Sequence, residues 1–385
     1  MVGILVLSFN LRAAITSLPP LFPELSSSLG LSSAEIAALA TTPVLCFAAF
    51  SGVAAPLSRR YGEERVLLAA LALLVVGLVS RGALPGWLLF PGTVLASAAI
   101  ALMNVLLPSL VKRRDPARAG LLIGVYLLSL AAGAVLASLI AVPIFQASGG
   151  SVPLALGIWA LPAAVAVLAW LPQWRFRTVP AGARPSRQQR LLKVSRHALA
   201  WQVMGFMGLQ SLIYYATLSW LPTLFRDRGA DAVNAGTLLA VMNLGNGITA
   251  MLMPVIAHRT RDQRWLVALM VVLAMAGLAG AAFAPLGGAA AWVLLLGLGQ
   301  GAGLGLAIYF TLARAPDPVA SASLSAFAQG GGYLVAAAGP LAVGFLHTVT
   351  GGWTVPVIAL LAVLAGELAI GWQAGRAVTL PEASG

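Results

Sequence analysis

The apolar positions of this chain fall into long runs, and each run ends at a break that is polar or rich in glycine and proline. A run of about 20 apolar residues is long enough for one helix to cross a bilayer. The pattern therefore predicts twelve transmembrane helices. The predicted spans are 2–24, 34–57, 65–83, 87–111, 118–145, 152–173, 198–225, 232–257, 264–285, 289–313, 319–346 and 353–375.

The first six predicted spans resemble the second six at an offset close to 200 residues. Ser17-Leu-Pro-Pro-Leu-Phe22 is similar to Trp220-Leu-Pro-Thr-Leu-Phe225, and Gly77-Leu78 is similar to Gly277-Leu278. We therefore predict an all-α integral membrane protein built from two pseudo-symmetric six-helix halves. Its predicted parts are an N-terminal bundle at 1–173, a cytoplasmic linker at 174–197 and a C-terminal bundle at 198–385.

Composition and charge support the same class. Hydrophobic residues make up 60% of the chain and charged residues 9%, whereas about 25% are charged in soluble domains. The net charge of +12 does not indicate nucleic-acid binding, because 19 of the 23 basic residues lie in alternate connections. Basic residues concentrate in cytoplasmic loops, where they meet anionic lipid head groups. This distribution predicts cytoplasmic N- and C-termini, with Arg81, Arg226 and Arg228 in outer connections.

Arg12 is the one basic residue that lies deep inside a predicted span, away from the connections. It lies about 15 Å along the first helix, close to the midplane of a hydrocarbon core about 30 Å thick. A charge at that depth costs roughly 2.5–3.5 kcal/mol, so it usually faces a bundle interior or a wet cavity. Arg12 is either a cationic anchor for an anionic or strongly polar solute, or a structural residue paired with a carboxylate or with carbonyl groups.

Several sequence stretches together resemble the cyanate permease and nitroimidazole transporter family of the major facilitator superfamily. The resemblance covers both halves and implies that family's fold, a bacterial inner-membrane location and a midplane site between two halves. The stretches are Asn10-Leu-Arg12-Ala-Ala-Ile-Thr16, Thr41-Thr-Pro43-Val-Leu-Cys-Phe47, Asn104-Val-Leu-Leu-Pro108-Ser-Leu-Val-Lys112, Gln300-Gly301, Ala328-Gln329-Gly-Gly-Gly-Tyr333, Gly339-Pro340 and Gly351-Gly352-Trp353.

One loop departs from the superfamily pattern. The position that usually carries aspartate between the second and third spans is Arg59 here. We expect the charge pairing at this cytoplasmic loop to be rearranged through Glu63 or Glu64.

Polar and aromatic residues at mid-span depth complete a candidate substrate site. Each of them is equally compatible with hydrogen bonding between helices. With Arg12, the candidates are Asn10, Thr16, Asn104, Tyr126, Gln210, Tyr214, Tyr215, Asn243, Gln300, Tyr309, Gln329 and Tyr333. Glu367 is the only carboxylate that we place at depth, and it is either a proton-coupling group or a structural one.

The sequence contains no pattern typical of catalysis or metal binding. Its three histidines fall in predicted loops or at span ends, and Cys46 is its single cysteine. We therefore expect a non-enzymatic protein without a cofactor or a bound metal.

The resemblance and the composition together predict a monomeric secondary transporter for a small anionic or polar solute, working by alternating access with or without a coupling proton. The alternatives are an exporter of drugs or toxic metabolites, a non-transporting membrane receptor, and a membrane-embedded enzyme.

Overall fold

The structure is a computed structural model, and it describes residues 2–83, 86–114, 118–176, 178 and 194–381. Helices account for nearly all of these residues, and no strand occurs among them. The α-helices are α1 (Val2–Thr16), α2 (Phe22–Leu29), α3 (Ser33–Phe50), α4 (Ala54–Tyr61), α5 (Glu63–Arg81), α6 (Leu89–Arg114), α7 (Ala119–Ala147), α8 (Val152–Gly157), α9 (Ala160–Trp170), α10 (Ala198–Asp227), α11 (Ala232–His258), α12 (Arg264–Phe283), α13 (Ala289–Ala313), α14 (Pro318–Thr350) and α15 (Thr354–Ala374).

Each predicted span coincides with a helical segment in the described part of the chain. Ten segments there are long and apolar enough to cross a membrane. Helices α5 and α10 supply the other two predicted spans, and α5 carries four charged residues within its 19 residues. The all-helical membrane architecture is therefore confirmed. We call the end at which α1 begins the inner end, because the arginine distribution predicts that it faces the cytoplasm.

Local sequence signals set where several helices begin and end. Ser32 and Glu35 form a capping box at the start of α3, in which each side chain accepts a hydrogen bond from the other residue's backbone N–H. Asp317 caps α14 by accepting from the amides of Val319 and Ala320 at 2.7 and 2.9 Å. Gly351, at a φ of 66°, ends the same helix in the left-handed conformation that favours glycine.

Internal contacts divide the chain into two compact units, which do not follow chain order. Unit 1 contains Met1–Gly182 and Leu218–Asn243, and unit 2 contains Ala183–Thr217 and Leu244–Gly385. The unit boundaries fall inside α10 and α11. The division into 1–173, 174–197 and 198–385 remains a prediction, and positions 177 and 179–193 of the linker lie outside the described residues.

Glycines let helices approach closely inside each unit. In unit 1, a Cβ at Gly77 on α5 would lie 2.6 Å from the backbone nitrogen of Ala96 on α6. In unit 2, a Cβ at Gly277 on α12 would collide with the backbone of Leu296 on α13. The two glycines occupy matching positions in the sequence repeat, so the duplication extends to how the helices pack.

Replacing Gly77 by valine should destabilise the protein, because the added atoms meet backbone that has little room to move. We expect a loss of about 1–3 kcal/mol or more, seen as a lower midpoint of thermal unfolding in detergent. Gly124→Val is the matched control, since no atom lies within 4 Å of a Cβ at Gly124. Equal unfolding midpoints for the two variants would contradict the close α5–α6 contact.

Candidate functional site

Arg12 stands out from its surroundings on α1. Every other residue from Asn10 to Phe22 is buried, whereas Arg12 keeps part of its surface exposed. The hydroxyl of Thr16, one turn further on, donates to the backbone carbonyl of Arg12 at 3.0 Å. The structure thus places one partly exposed arginine on an otherwise buried stretch of helix.

Asn10, which precedes Arg12 by two residues, is 1% exposed and ties two helices together. Its Nδ2 donates to the carbonyl oxygens of Val6 at 2.7 Å and of Pro162 on α9 at 3.0 Å. Both amide hydrogens therefore have acceptors, as a buried amide requires. The structural interpretation fits Asn10 better than direct solute contact.

The other candidates in unit 1 form two separate pairs. The Tyr126 hydroxyl on α7 lies 3.4 Å from Oδ1 of Asn104 on α6, and Asn104 keeps part of its surface exposed. Asn243 on α11 is buried, and its Nδ2 donates to the Ser138 hydroxyl on α7 at 3.2 Å. Asn104 therefore has an exposed polar surface, whereas Asn243 connects helices.

In unit 2, two glutamines and a threonine form a buried chain. Nε2 of Gln210 on α10 donates to the backbone carbonyl of Gln300 on α13 at 3.2 Å. Nε2 of Gln300 donates to the Thr217 hydroxyl at 2.8 Å, while its Oε1 has no hydrogen-bond partner among the described residues. An unsatisfied buried acceptor is costly, so Gln300 retains the capacity to bind one more donor.

The aromatic candidates of unit 2 differ in exposure. Tyr214 and Tyr215 are both buried and meet edge to face, with ring centroids 5.2 Å apart. Tyr309 and Tyr333 each keep part of their surface exposed. Gln329 is also partly exposed, and its Nε2 donates to the Ser325 hydroxyl at 2.8 Å.

Glu367 is 1% exposed on α15. Its Oε1 has no hydrogen-bond partner within the described residues. The buried face of α15 that carries it otherwise consists of apolar and small side chains, among them Leu364 and Gly371. Glu367 is therefore a carboxyl group in an apolar environment rather than one half of an ion pair.

An ion pair that the sequence analysis did not predict lies near the outer end of unit 1. Nη1 of Arg226 on α10 is 2.8 Å from Oε1 of Glu24 on α2. Beside the pair, the rings of Phe22 and Trp220 have centroids 6.2 Å apart. Phe22 and Trp220 belong to the two repeated stretches, and Glu24 and Arg226 follow those stretches within two residues, so the repeat was the available sequence signal.

The distribution of basic residues assigned Arg81 to an outer connection, but the structure places it as the last residue of α5. It is 4% exposed and donates from Nη1 to the carbonyl oxygen of Ala14 at 2.7 Å. That oxygen lies in the last turn of α1, where carbonyls lack partners within the helix. The buried guanidinium therefore caps α1 and does not mark the membrane surface.

The expected rearrangement of charges at the loop before α5 is present. Glu63 pairs with Arg113 on α6 at 3.2 Å and accepts from the Ser109 hydroxyl at 3.1 Å. Glu64 instead accepts from the backbone N–H of Thr178 at 2.7 Å and from its hydroxyl at 2.5 Å. Both carboxylates therefore bind partners within unit 1.

No group of three or more His, Cys, Asp or Glu side chains in the described part of the chain is arranged to hold a metal ion.

The family model for the Major Facilitator Superfamily matches residues 4–340, which is most of the chain. The chain belongs to the major facilitator superfamily. It is 38% identical over 375 residues to the 2-nitroimidazole transporter of Escherichia coli K12, covering 97% of this chain and 94% of that protein. It is 30% identical over 351 residues to the cyanate transport protein CynX of the same organism, covering 91% and 90% of the two chains. The resemblance stated from the sequence motifs is therefore confirmed.

Solved structures show the same major facilitator fold. The crystal structure of a bacterial homologue of the human lysosomal transporter Spinster, inward-facing and unoccupied, superposes with a TM-score of 0.82. It is 15% identical and covers 98% of this chain and 96% of that one, so it supports the fold alone. This member of the superfamily is a multi-pass membrane transporter of small solutes and not an enzyme.

Proposed function

We propose that this transporter carries a small anionic or strongly polar solute, and that Arg12 holds the negative end of that solute. The observation that carries the proposal is the partial exposure of Arg12 within a stretch of α1 that is otherwise buried. A guanidinium offers several donors in one plane, so it suits compact groups that concentrate negative charge on oxygen or nitrogen. Cyanate and nitro groups have this character, and the names of the two relatives favour solutes of this kind.

Burial divides the remaining candidates into two roles in this proposal. The partly exposed residues Asn104, Tyr309, Gln329 and Tyr333 are the ones that we propose contact the solute. The buried residues connect or position helices, because they have little surface for a solute, although Oε1 of Gln300 still lacks a partner among the described residues. They are Asn10, Thr16, Tyr126, Gln210, Tyr214, Tyr215, Asn243 and Gln300.

Replacing Arg12 by glutamine should weaken solute binding by about tenfold or more, since one charge-assisted contact is lost. Arg12→Lys should keep part of the affinity, because it retains the charge without the planar donors. Binding of cyanate and 2-nitroimidazole to purified protein, followed by uptake into proteoliposomes, measures the effect. The control is Arg261→Gln at an exposed position. Unchanged affinity in Arg12→Gln would remove Arg12 from the mechanism.

We further propose alternating access, in which the outer contact between α2 and the outer part of α10 breaks when the site opens outward. The Glu24–Arg226 pair and the Asn243–Ser138 hydrogen bond both join α10 or α11 to the N-terminal helices of unit 1. A solute entering from the outside requires these contacts to separate.

Glu24→Gln should favour outer opening, because it removes one member of a partly buried ion pair worth about 1 kcal/mol. The measurement is the labelling rate of a cysteine at Val142, which is 1% exposed on α7 one turn beyond Ser138, in a Cys46→Ser background, by a thiol reagent that cannot cross the membrane. We expect labelling several-fold faster than in the parent, and the exchanged pair Glu24→Arg with Arg226→Glu should restore the parent rate. Equal rates in the parent and Glu24→Gln would contradict this role.

Glu367 is our candidate for a coupling proton, because it is a buried carboxyl group without a counter-charge among the described residues. Glu367→Gln should then abolish the stimulation of uptake by a pH gradient while leaving solute counterflow intact. Stimulation equal to that of the parent protein would assign Glu367 a structural role instead.

We also propose a bacterial inner-membrane location, cytoplasmic N- and C-termini and a monomeric state. The alternative function is efflux of a drug or toxic metabolite. Counterflow measured with small anions and with a cationic dye shows which of these two classes of substrate the protein carries. A receptor would bind the solute without accumulating it.

A further inference from the structure

A groove with a volume of about 420 Å³ lies on unit 1 beside the inner part of α5. Its lining is mainly apolar and includes two aromatic side chains and one arginine. The residues that matter for its chemistry are Tyr61, Arg65, Ala69, Leu73, Leu102 and Trp174.

The groove opens on an exposed face of α5. Ala69, Ala72, Val76 and Val79 are exposed, and their spacings of three and four residues place them on one helix face. Arg65 lies one turn before Ala69 on that same face. The guanidinium is therefore at the inner end of an apolar stripe that runs into the membrane.

Arg65 has no anionic partner within the described residues. Its Cζ lies 5.3 Å from the ring of Trp174, and its buried Nε has no hydrogen-bond partner there. The two nearest carboxylates in the sequence are engaged elsewhere, since Glu63 pairs with Arg113 and Glu64 binds Thr178. A half-buried guanidinium without a counter-charge is costly in an apolar setting, so an anion from outside the protein would stabilise it.

The matching position in unit 2 shows a different solution. Arg264, at the start of α12, lies over the ring of Trp372 with its Cζ 5.6 Å from the centroid. Its guanidinium is also 3.7 Å from the carboxylate of Asp262. Arg264 therefore has a protein anion where Arg65 has none, although both pack on a tryptophan.

We propose that the groove binds an anionic phospholipid of the inner leaflet, with the lipid phosphate on Arg65 and an acyl chain along Ala69, Leu73 and Leu102. Tyr61 and Trp174 are 46% and 51% exposed, and aromatic rings of this kind prefer the level of the head groups. Arg60, whose Cζ lies 5.2 Å from the centroid of the Tyr61 ring, adds positive charge beside the groove, which favours an anionic head group over a zwitterionic one. This site is separate from the proposed solute site and goes beyond the transport function.

The test is native mass spectrometry of delipidated protein in detergent, titrated with phosphatidylglycerol. Arg65→Gln should lower the apparent affinity of the first bound phosphatidylglycerol by about tenfold, the loss expected for one charge-assisted phosphate contact. Arg264→Gln is the matched control and should bind like the parent protein. Equal affinity in Arg65→Gln and the parent, or an equal loss in Arg264→Gln, would overturn the proposal.

A second variant tests the acyl-chain part with the charge kept. Ala69→Trp fills the groove from an exposed position, so it should reduce phosphatidylglycerol binding about as much as Arg65→Gln while leaving the unfolding midpoint without lipid unchanged. Parent-level lipid binding in Ala69→Trp would overturn the groove assignment. Equal affinity for phosphatidylcholine, or an equal thermal shift with inorganic phosphate, would show that no anionic lipid is selected.

Discussion

A polar group that enters a lipid bilayer has no water to bind, so it must find its partner inside the protein. Several buried polar side chains of this transporter follow that constraint, although Oε1 of Gln300 and Oε1 of Glu367 lack a partner among the described residues. Asn10 on α1 donates to a carbonyl of α9, Asn243 on α11 donates to Ser138 on α7, and Gln300 on α13 donates to Thr217 on α10. Each hydrogen bond joins two helices. Polar residues therefore fix which helices are neighbours, while the apolar surface has little preference among them.

The helices also pack closely against one another, and glycines allow this. Side-chain hydrogen bonds between helices need backbones that approach within a few ångströms, and glycine permits this approach. Gly77 and Gly277 occupy matching contacts in α5–α6 and α12–α13, while Gly133 on α7 packs against the backbone of Phe9 on α1. The two halves of the sequence repeat therefore share a helix contact that is too close for any residue larger than glycine.

The arginines show how surroundings decide the role of one residue type. Arg81 and Arg314 are 4% exposed, and backbone carbonyls at helix ends accept their N–H groups. Burial lowers the pKa of the Arg314 guanidinium, but a guanidinium keeps its proton in a protein. Because they are buried, these two side chains have almost no surface on which an external anion could bind. Arg12 and Arg65 are partly exposed, and for that reason we assign the proposed ligands to them.

The sequence by itself determined the helical membrane class, the position of each span and the superfamily, and it singled out Arg12 as the candidate that we propose binds the solute. Runs of apolar residues and the positions of basic residues are local properties, so no tertiary contact is needed to interpret them. The sequence also indicated that Glu63 or Glu64 would replace the missing aspartate.

Only the tertiary structure decided that Arg81 caps α1, that Glu24 meets Arg226 across 202 positions, and that Asn10 and Asn243 connect helices. The reason is physical. The role of a polar residue in a bilayer depends on which acceptor or counter-charge a distant helix brings to it, and no local pattern encodes that distance.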